Sequence, residues 1–152
     1  MNKQLIRKIL EESRQIPDEQ LDFSCWYLRK GDKISKCPIG NHILLHEELI
    51  NILKVKTNGI KPINGEYQTS FDVSVSELAK YLDISYEEAD YIFCISRSRE
   101  KFETLVEKFL DGNIVIRVCC ADNCGMTYEA RPGDKASVCD PCKDCLLEMC
   151  GL

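Results

Sequence analysis

The strongest constraint on this chain is its last stretch, Val118 to Leu152, which holds seven of the ten cysteines. They run Cys119, Cys120 and Cys124, then a polar excursion, then Cys139-Asp-Pro-Cys142, Cys145 and Cys150. Too few apolar residues lie between them to close a hydrophobic core. A segment of this kind needs another source of stability, and a metal ion held by thiolates supplies it, because its binding free energy becomes folding free energy.

The spacing narrows the choice of ion. A structural zinc site takes four tetrahedral ligands, drawn as a rule from two short-spaced pairs. Cys120 and Cys124 form one pair, followed by Gly125, and Cys139 and Cys142 form the other. These four are the expected ligands, with Cys119 as the substitute for Cys120; Cys145 and Cys150 are left over. A turn that aims amides at sulfur often requires positive φ, which suits Gly125. Between the pairs, Met126 to Val138 reads as a hairpin turning at Arg131-Pro-Gly-Asp134. After Asp140 a helix can begin, with Pro141 in its first turn and Leu146, Leu147 and Met149 as its apolar content. From Cys119 to about Cys150 this arrangement resembles the treble-clef and zinc-ribbon class, which implies a structural zinc and a small hairpin-plus-helix module. Two rival readings remain. The run Cys139-x2-Cys142-x2-Cys145-x4-Cys150 nearly matches the ferredoxin pattern of an iron-sulfur cluster, one residue too long and without its proline. Disulfides are the other rival, but they belong to secreted scaffolds.

The remaining residues read as mainly helical, giving a helical domain over 1–112 and a zinc-stapled module over 113–152. Leu5, Ile6, Ile9 and Leu10 recur at helical spacing and predict a first helix ending near Pro17. A second, apolar helix is expected from about Gly40 to Leu53, central to the fold. Asp22 to Lys36 reads as mixed, with a turn at Lys30-Gly31-Asp32. Lys54 to Val73 reads as the least regular part, a loop or hairpin with turn signals at Asn58-Gly59 and Asn64-Gly65. Capping boxes at Ser74-x2-Glu77 and Ser85-x2-Glu88 open two further helices that look like a helix-turn-helix pair, with Ala79 at their contact and Ile84 entering the core. Arg97 to Lys101 starts a last helix with Phe102, Leu105, Val106, Phe109 and Leu110 on its apolar face, stopped at Asp111-Gly112. Ile114 to Ile116 then forms a strand leading into the cysteine-rich module. Cys37-Pro-Ile-Gly40, with Leu78 to Leu82 and Glu88 to Phe93, is similar to small uncharacterised bacterial and phage proteins, a resemblance over about Ile16 to Phe93 that implies origin but no activity.

A second metal site can be imagined from Cys25, Cys37, His42 and His46, since the histidines fall one turn apart. The gap between those cysteines is not the short knuckle zinc favours, so core packing for Cys25 and Cys37 is the stronger expectation. Catalytic signatures are lacking: there is no phosphate-binding glycine loop, no nucleophile elbow, and Ile43 stands where the metalloprotease motif requires a glutamate. The CxxC at Cys139 has a redox form, but without a βαβ context.

Charge decides among binding functions. The net charge is −5. Lys80 stands alone against Glu77, Asp83, Glu87, Glu88 and Asp90 in the helix pair, and the cysteine-rich tail has no basic patch. Met1 to Gln15 lacks the apolar run of a signal peptide or membrane span, so the expected setting is the cytoplasm with reduced thiols. The expectation is a non-enzymatic regulatory or adaptor protein that binds another macromolecule, a protein first. A nucleic-acid-binding regulator using the helix pair with the zinc module comes second, and an inhibitor filling a basic nucleic-acid groove of a host or defence enzyme third. Random duplex DNA should therefore show no mobility shift at about micromolar protein in physiological salt, because few cations are present to release counterions. A shift with steep salt dependence would put the nucleic-acid regulator first.

Overall fold

The computed structural model describes residues 1–63, 66–119 and 124–133. Six helices and two antiparallel sheets alternate along the described chain. The helices are α1 (Lys3–Ser13), α2 (Pro38–Leu45), α3 (Leu49–Ile52), α4 (Val75–Leu82), α5 (Tyr86–Phe93) and α6 (Arg99–Leu110). The strands are β1 (Tyr27–Lys30), β2 (Lys33–Lys36), β3 (Lys56–Ile63), β4 (Glu66–Asp72), β5 (Val115–Val118) and β6 (Thr127–Ala130).

A mainly α fold is thereby overturned: a four-stranded sheet ordered β2-β1-β4-β3 shares the molecule with the helices, and the class is mixed α+β. The sheet is built from the two stretches whose sequences carry little apolar signal. Lys30-Gly31-Asp32 does form the β1–β2 turn, with Gly31 at φ 61°, where only glycine is free of strain. Asn58-Gly59, by contrast, is no turn. Asn58 pairs with Ser70 and Gly59 with Thr69, inside the β3–β4 ladder. Asn64-Gly65 lies outside the described residues. Tyr27 on β1 stacks on its β4 partner Phe71 at 5.0 Å between ring centroids, so only a few aromatic anchors fix the sheet to the core.

The core is helical. Ile6, Ile9 and Leu10 of α1, Ile39 and Ile43 of α2, Leu78 and Leu82 of α4, and Ile92 and Phe93 of α5 are all buried. The α6 face Phe102, Leu105, Val106, Phe109 and Leu110 closes the cluster. Phe102 meets Phe23 and Phe93 at 5.3 and 6.0 Å between centroids. Ala79 is buried, and Ile84 packs against the core with partial exposure. Of the two capping boxes, the one at Ser85 is complete, whereas Ser74 makes no side-chain cap bond and Glu77 instead faces Lys54 and Lys80. The basic run before α6 is not simply solvated. The Arg99 guanidinium donates to the carbonyls of Ser13 and Ile16 at 2.8 and 2.6 Å, tying α6 to the turn that follows α1, and pairs with Asp18 at 3.0 Å.

The expected helix from Gly40 to Leu53 is two helices, broken at His46 to Glu48. Its start lies earlier, at Pro38, with Cys37 as N-cap: the Cys37 sulfur accepts the Gly40 N–H at 3.4 Å. Gly40 has a steric reason. The Trp26 carbonyl, which also accepts the Cys37 N–H at 3.3 Å, lies 1.7 Å from where a Cβ on residue 40 would stand. The chain entering β1 thus lies directly on α2, and only glycine permits that approach. Gly40→Ala should cost about 3 kcal/mol or more, as overpacking against rigid backbone does. Urea unfolding reads this directly, and an unchanged midpoint would mean that the two segments separate freely.

Candidate metal centres

From Pro38 to Ile43 every residue of α2 is buried, so a polar side chain there must find its partners inside the protein. His42, 2% exposed, has two. Its Nδ1 lies 2.6 Å from Oε1 of Glu12, in the last turn of α1, and its Nε2 lies 3.0 Å from the Tyr81 hydroxyl on α4. His46 caps the C-terminus of α2 with φ −133° and ψ 77°, outside helical geometry, and its Nε2 lies 2.8 Å from Oε2 of the same carboxylate. The imidazole rings are 4.6 Å apart. One ligand atom from each of Glu12, His42 and His46 falls within 4.8 Å of the others, a group that can hold a metal ion.

The electrostatics favour the ionised form of Glu12 and the neutral form of His42. Burial alone would raise the Glu12 carboxyl, but hydrogen bonds and charge from His42 and His46 outweigh it and hold the group below its ordinary 4.5. Burial depresses the His42 imidazole below 6.5, a shift that its Glu12 bond only partly offsets.

Sequence reasoning grouped the two histidines with Cys25 and Cys37; among the described residues the structure groups them with Glu12 instead. Cys37 is spent on the α2 cap, and the Cys25 thiol points to the Ser35 carbonyl at 3.7 Å. Both line a cavity of about 110 Å³ with Cys94, Phe23, Trp26 and Phe93. Burial pushes the Cys37 thiol up to about 12, and burial and Asp90 push Cys94 up to about 12 as well, so both are held as protonated thiols at neutral pH. Glu12 was legible in principle. It follows Ile9 by three positions and so sits on the margin of the buried stripe of α1, where a carboxylate calls for a partner.

A second candidate is the group of cysteines that begins at the β5–β6 ribbon. Val115 to Val118 pairs with Ala130 to Thr127 in antiparallel register, and the Cys119 N–H donates to the Met126 carbonyl at 2.8 Å, closing a loop that carries the thiols. Cys119 is buried, Cys124 is half-buried, and Gly125 takes φ 62°. Of the expected ligands, Cys124 belongs to this loop; Cys120, Cys139 and Cys142 lie outside the described residues, as do Cys145 and Cys150. The outgoing strand of the expected hairpin is β6, and its partner is β5; the return toward Val138 also falls outside the described residues. Glu129 on β6 accepts from the Tyr91 hydroxyl at 3.0 Å, and Ile114 and Ile116 pack on the core with partial exposure, which seats the ribbon against α5.

No family model, curated protein or solved structure matches the chain. Among the described residues no helix is long and apolar enough to cross a membrane.

The depressed His42 and Glu12 values give stability a definite pH dependence. Below 6.5 the unfolded chain takes up a proton on His42 that the folded chain does not, and below 4.5 it takes up one on Glu12 that the folded chain resists. Both effects remove stability as pH falls. Thermal unfolding in chelator-containing buffer should show Tm declining from about pH 7 to about pH 5, and His42→Gln should flatten that slope. A wild-type Tm that is level across the window would show that His42 is not held neutral.

Proposed function

We propose that this chain is a non-enzymatic regulatory or adaptor protein that binds another protein through a zinc-stapled C-terminal module. The observation that carries the reading is the end of the β5–β6 ribbon, where the Cys119 N–H donates to the Met126 carbonyl. Gly125 takes positive φ there, and two apolar side chains are exposed, Val118 at 40% and Met126 at 55%. A thiolate donor set suits zinc, which has no redox chemistry of its own and is closed off when four ligands surround it. Cys124, with Cys120 or Cys119, and Cys139 and Cys142 are the residues that would hold it. An ion bound there stiffens the loop, and a stiff loop with exposed apolar flanks contacts a protein partner at little cost in ordering.

Nucleic acid is the weaker partner on charge. The α4–α5 pair resembles a DNA-reading unit in order only, because its second helix opens with Tyr86, Glu87 and Glu88 and would bring carboxylates toward phosphates.

Purified reduced and dialysed against a mild chelator, the protein should retain about one tightly held zinc, and Cys139→Ser or Cys142→Ser should release it. Brown protein with iron and sulfide would replace zinc by a cluster. For the partner, a protein captured by the wild type should be lost with Met126→Asp, whose folded helices are checked by circular dichroism. Equal capture by both would remove the ribbon as the contact surface.

A further inference from the structure

We propose that Glu12, His42 and His46 form a second metal site, separate from the thiol module, that takes one first-row divalent ion of the zinc, cobalt or iron(II) class. Three features support it together. The donor set is two imidazole nitrogens and one carboxylate, which suits borderline cations and differs from the thiolates of the C-terminal module. It is preassembled, since its ligand atoms lie within 4.8 Å of one another and come from two helices, α1 and α2, fixed in the core. It also has an outer partner of the kind that ligating histidines use. In the ion-free chain Nδ1–H donates to the Glu12 carboxylate and Nε2 accepts from the Tyr81 hydroxyl, 3.0 Å away; when an ion takes Nδ1 the remaining proton sits on Nε2, where the same hydroxyl accepts it.

Charge argues in the same direction. Among the described residues the Glu12 carboxylate, 15% exposed, forms ion pairs with the two imidazoles and none with lysine or arginine, although Lys8 on the same helix is near enough to act on His42. A divalent cation between the three groups would neutralise a carboxylate that the core otherwise leaves to neutral donors. Access comes from the His46 side. That side chain is 26% exposed against 2% for His42, so an ion can reach the group there and water can complete its coordination. With only three protein ligands the site is of the open, exchangeable type rather than the closed structural type.

Cobalt(II) is the probe that separates the two centres in the untagged, reduced full-length chain. Thiolate coordination gives intense sulfur-to-cobalt charge-transfer bands, whereas a nitrogen and oxygen site gives only weak visible d–d bands. Titration of metal-free protein should show the weak component as its own saturable step. His46→Ala and Glu12→Gln should abolish that step and leave any thiolate bands intact, and Tyr81→Phe should weaken it about 10–100-fold, the usual effect of removing an outer partner. Because His46 is partly exposed, its alanine variant should keep the wild-type circular dichroism; Tyr81→Phe, which keeps the ring, serves as the independent variant. Cobalt should also raise the wild-type Tm by more than it raises that of His46→Ala, in which only the thiol module can bind it. Absence of the nitrogen and oxygen component from the wild type, or its survival in both ligand variants, overturns the site. Loss of the thiolate bands alone would instead count against the zinc module and leave this site standing.

Discussion

The structure depends on a helix that has no solvent side over most of its length. With Pro38 to Ile43 all buried, α2 must meet every neighbour at van der Waals distance and must also satisfy its polar side chains internally. The first demand explains Gly40, against which the Trp26 carbonyl rests. The second explains why Glu12 and Tyr81 converge on His42 from α1 and α4. Asn41 is treated likewise, its side-chain amide donating to the Glu12 carbonyl at 3.5 Å. One buried helix thus fixes where α1 and α4 must lie, and the same contacts create the chemistry of the site.

The parts of the fold that were legible are those where a one-sided apolar stripe repeats at helical spacing. The stripes of α1 and α6 identify the buried residues as the structure has them, and the Ser85 box marks the start of α5 to the residue. The sheet was not legible because its strands carry Lys, Arg, Thr, Gln and Ser on a half-exposed surface, with Tyr27 and Phe71 as isolated anchors. Period-two alternation needs a continuous buried face to become visible, and the strand residues whose side chains are described show none. Asn58-Gly59 misleads for a related reason. The pair that favours a hairpin turn in isolation is held extended here by its ladder to Ser70 and Thr69.

The candidate site divides in the same way. The relation between His42 and His46 follows from helical geometry and was readable, even though His46 itself leaves the helix. Glu12 could be marked as a carboxylate at the edge of the α1 stripe, but not as their partner, because it lies thirty residues upstream of His42 and only tertiary packing brings α1 onto α2. Cys25 and Cys37 looked like partners because they are near in sequence, yet one faces a strand carbonyl and the other caps a helix.

The sheet order places β3 at an outer edge, with one side of its backbone unpaired by β4. Such an edge invites strands from other molecules, and long flat edges are where soluble proteins begin to aggregate. This one is interrupted. Its register shifts between Ile60 and Ile63, and Pro62, within that interval, has no N–H to donate. A foreign strand laid along β3 would find its ladder broken midway, so the irregularity that breaks the β3–β4 hairpin register also disfavours strand addition at this edge.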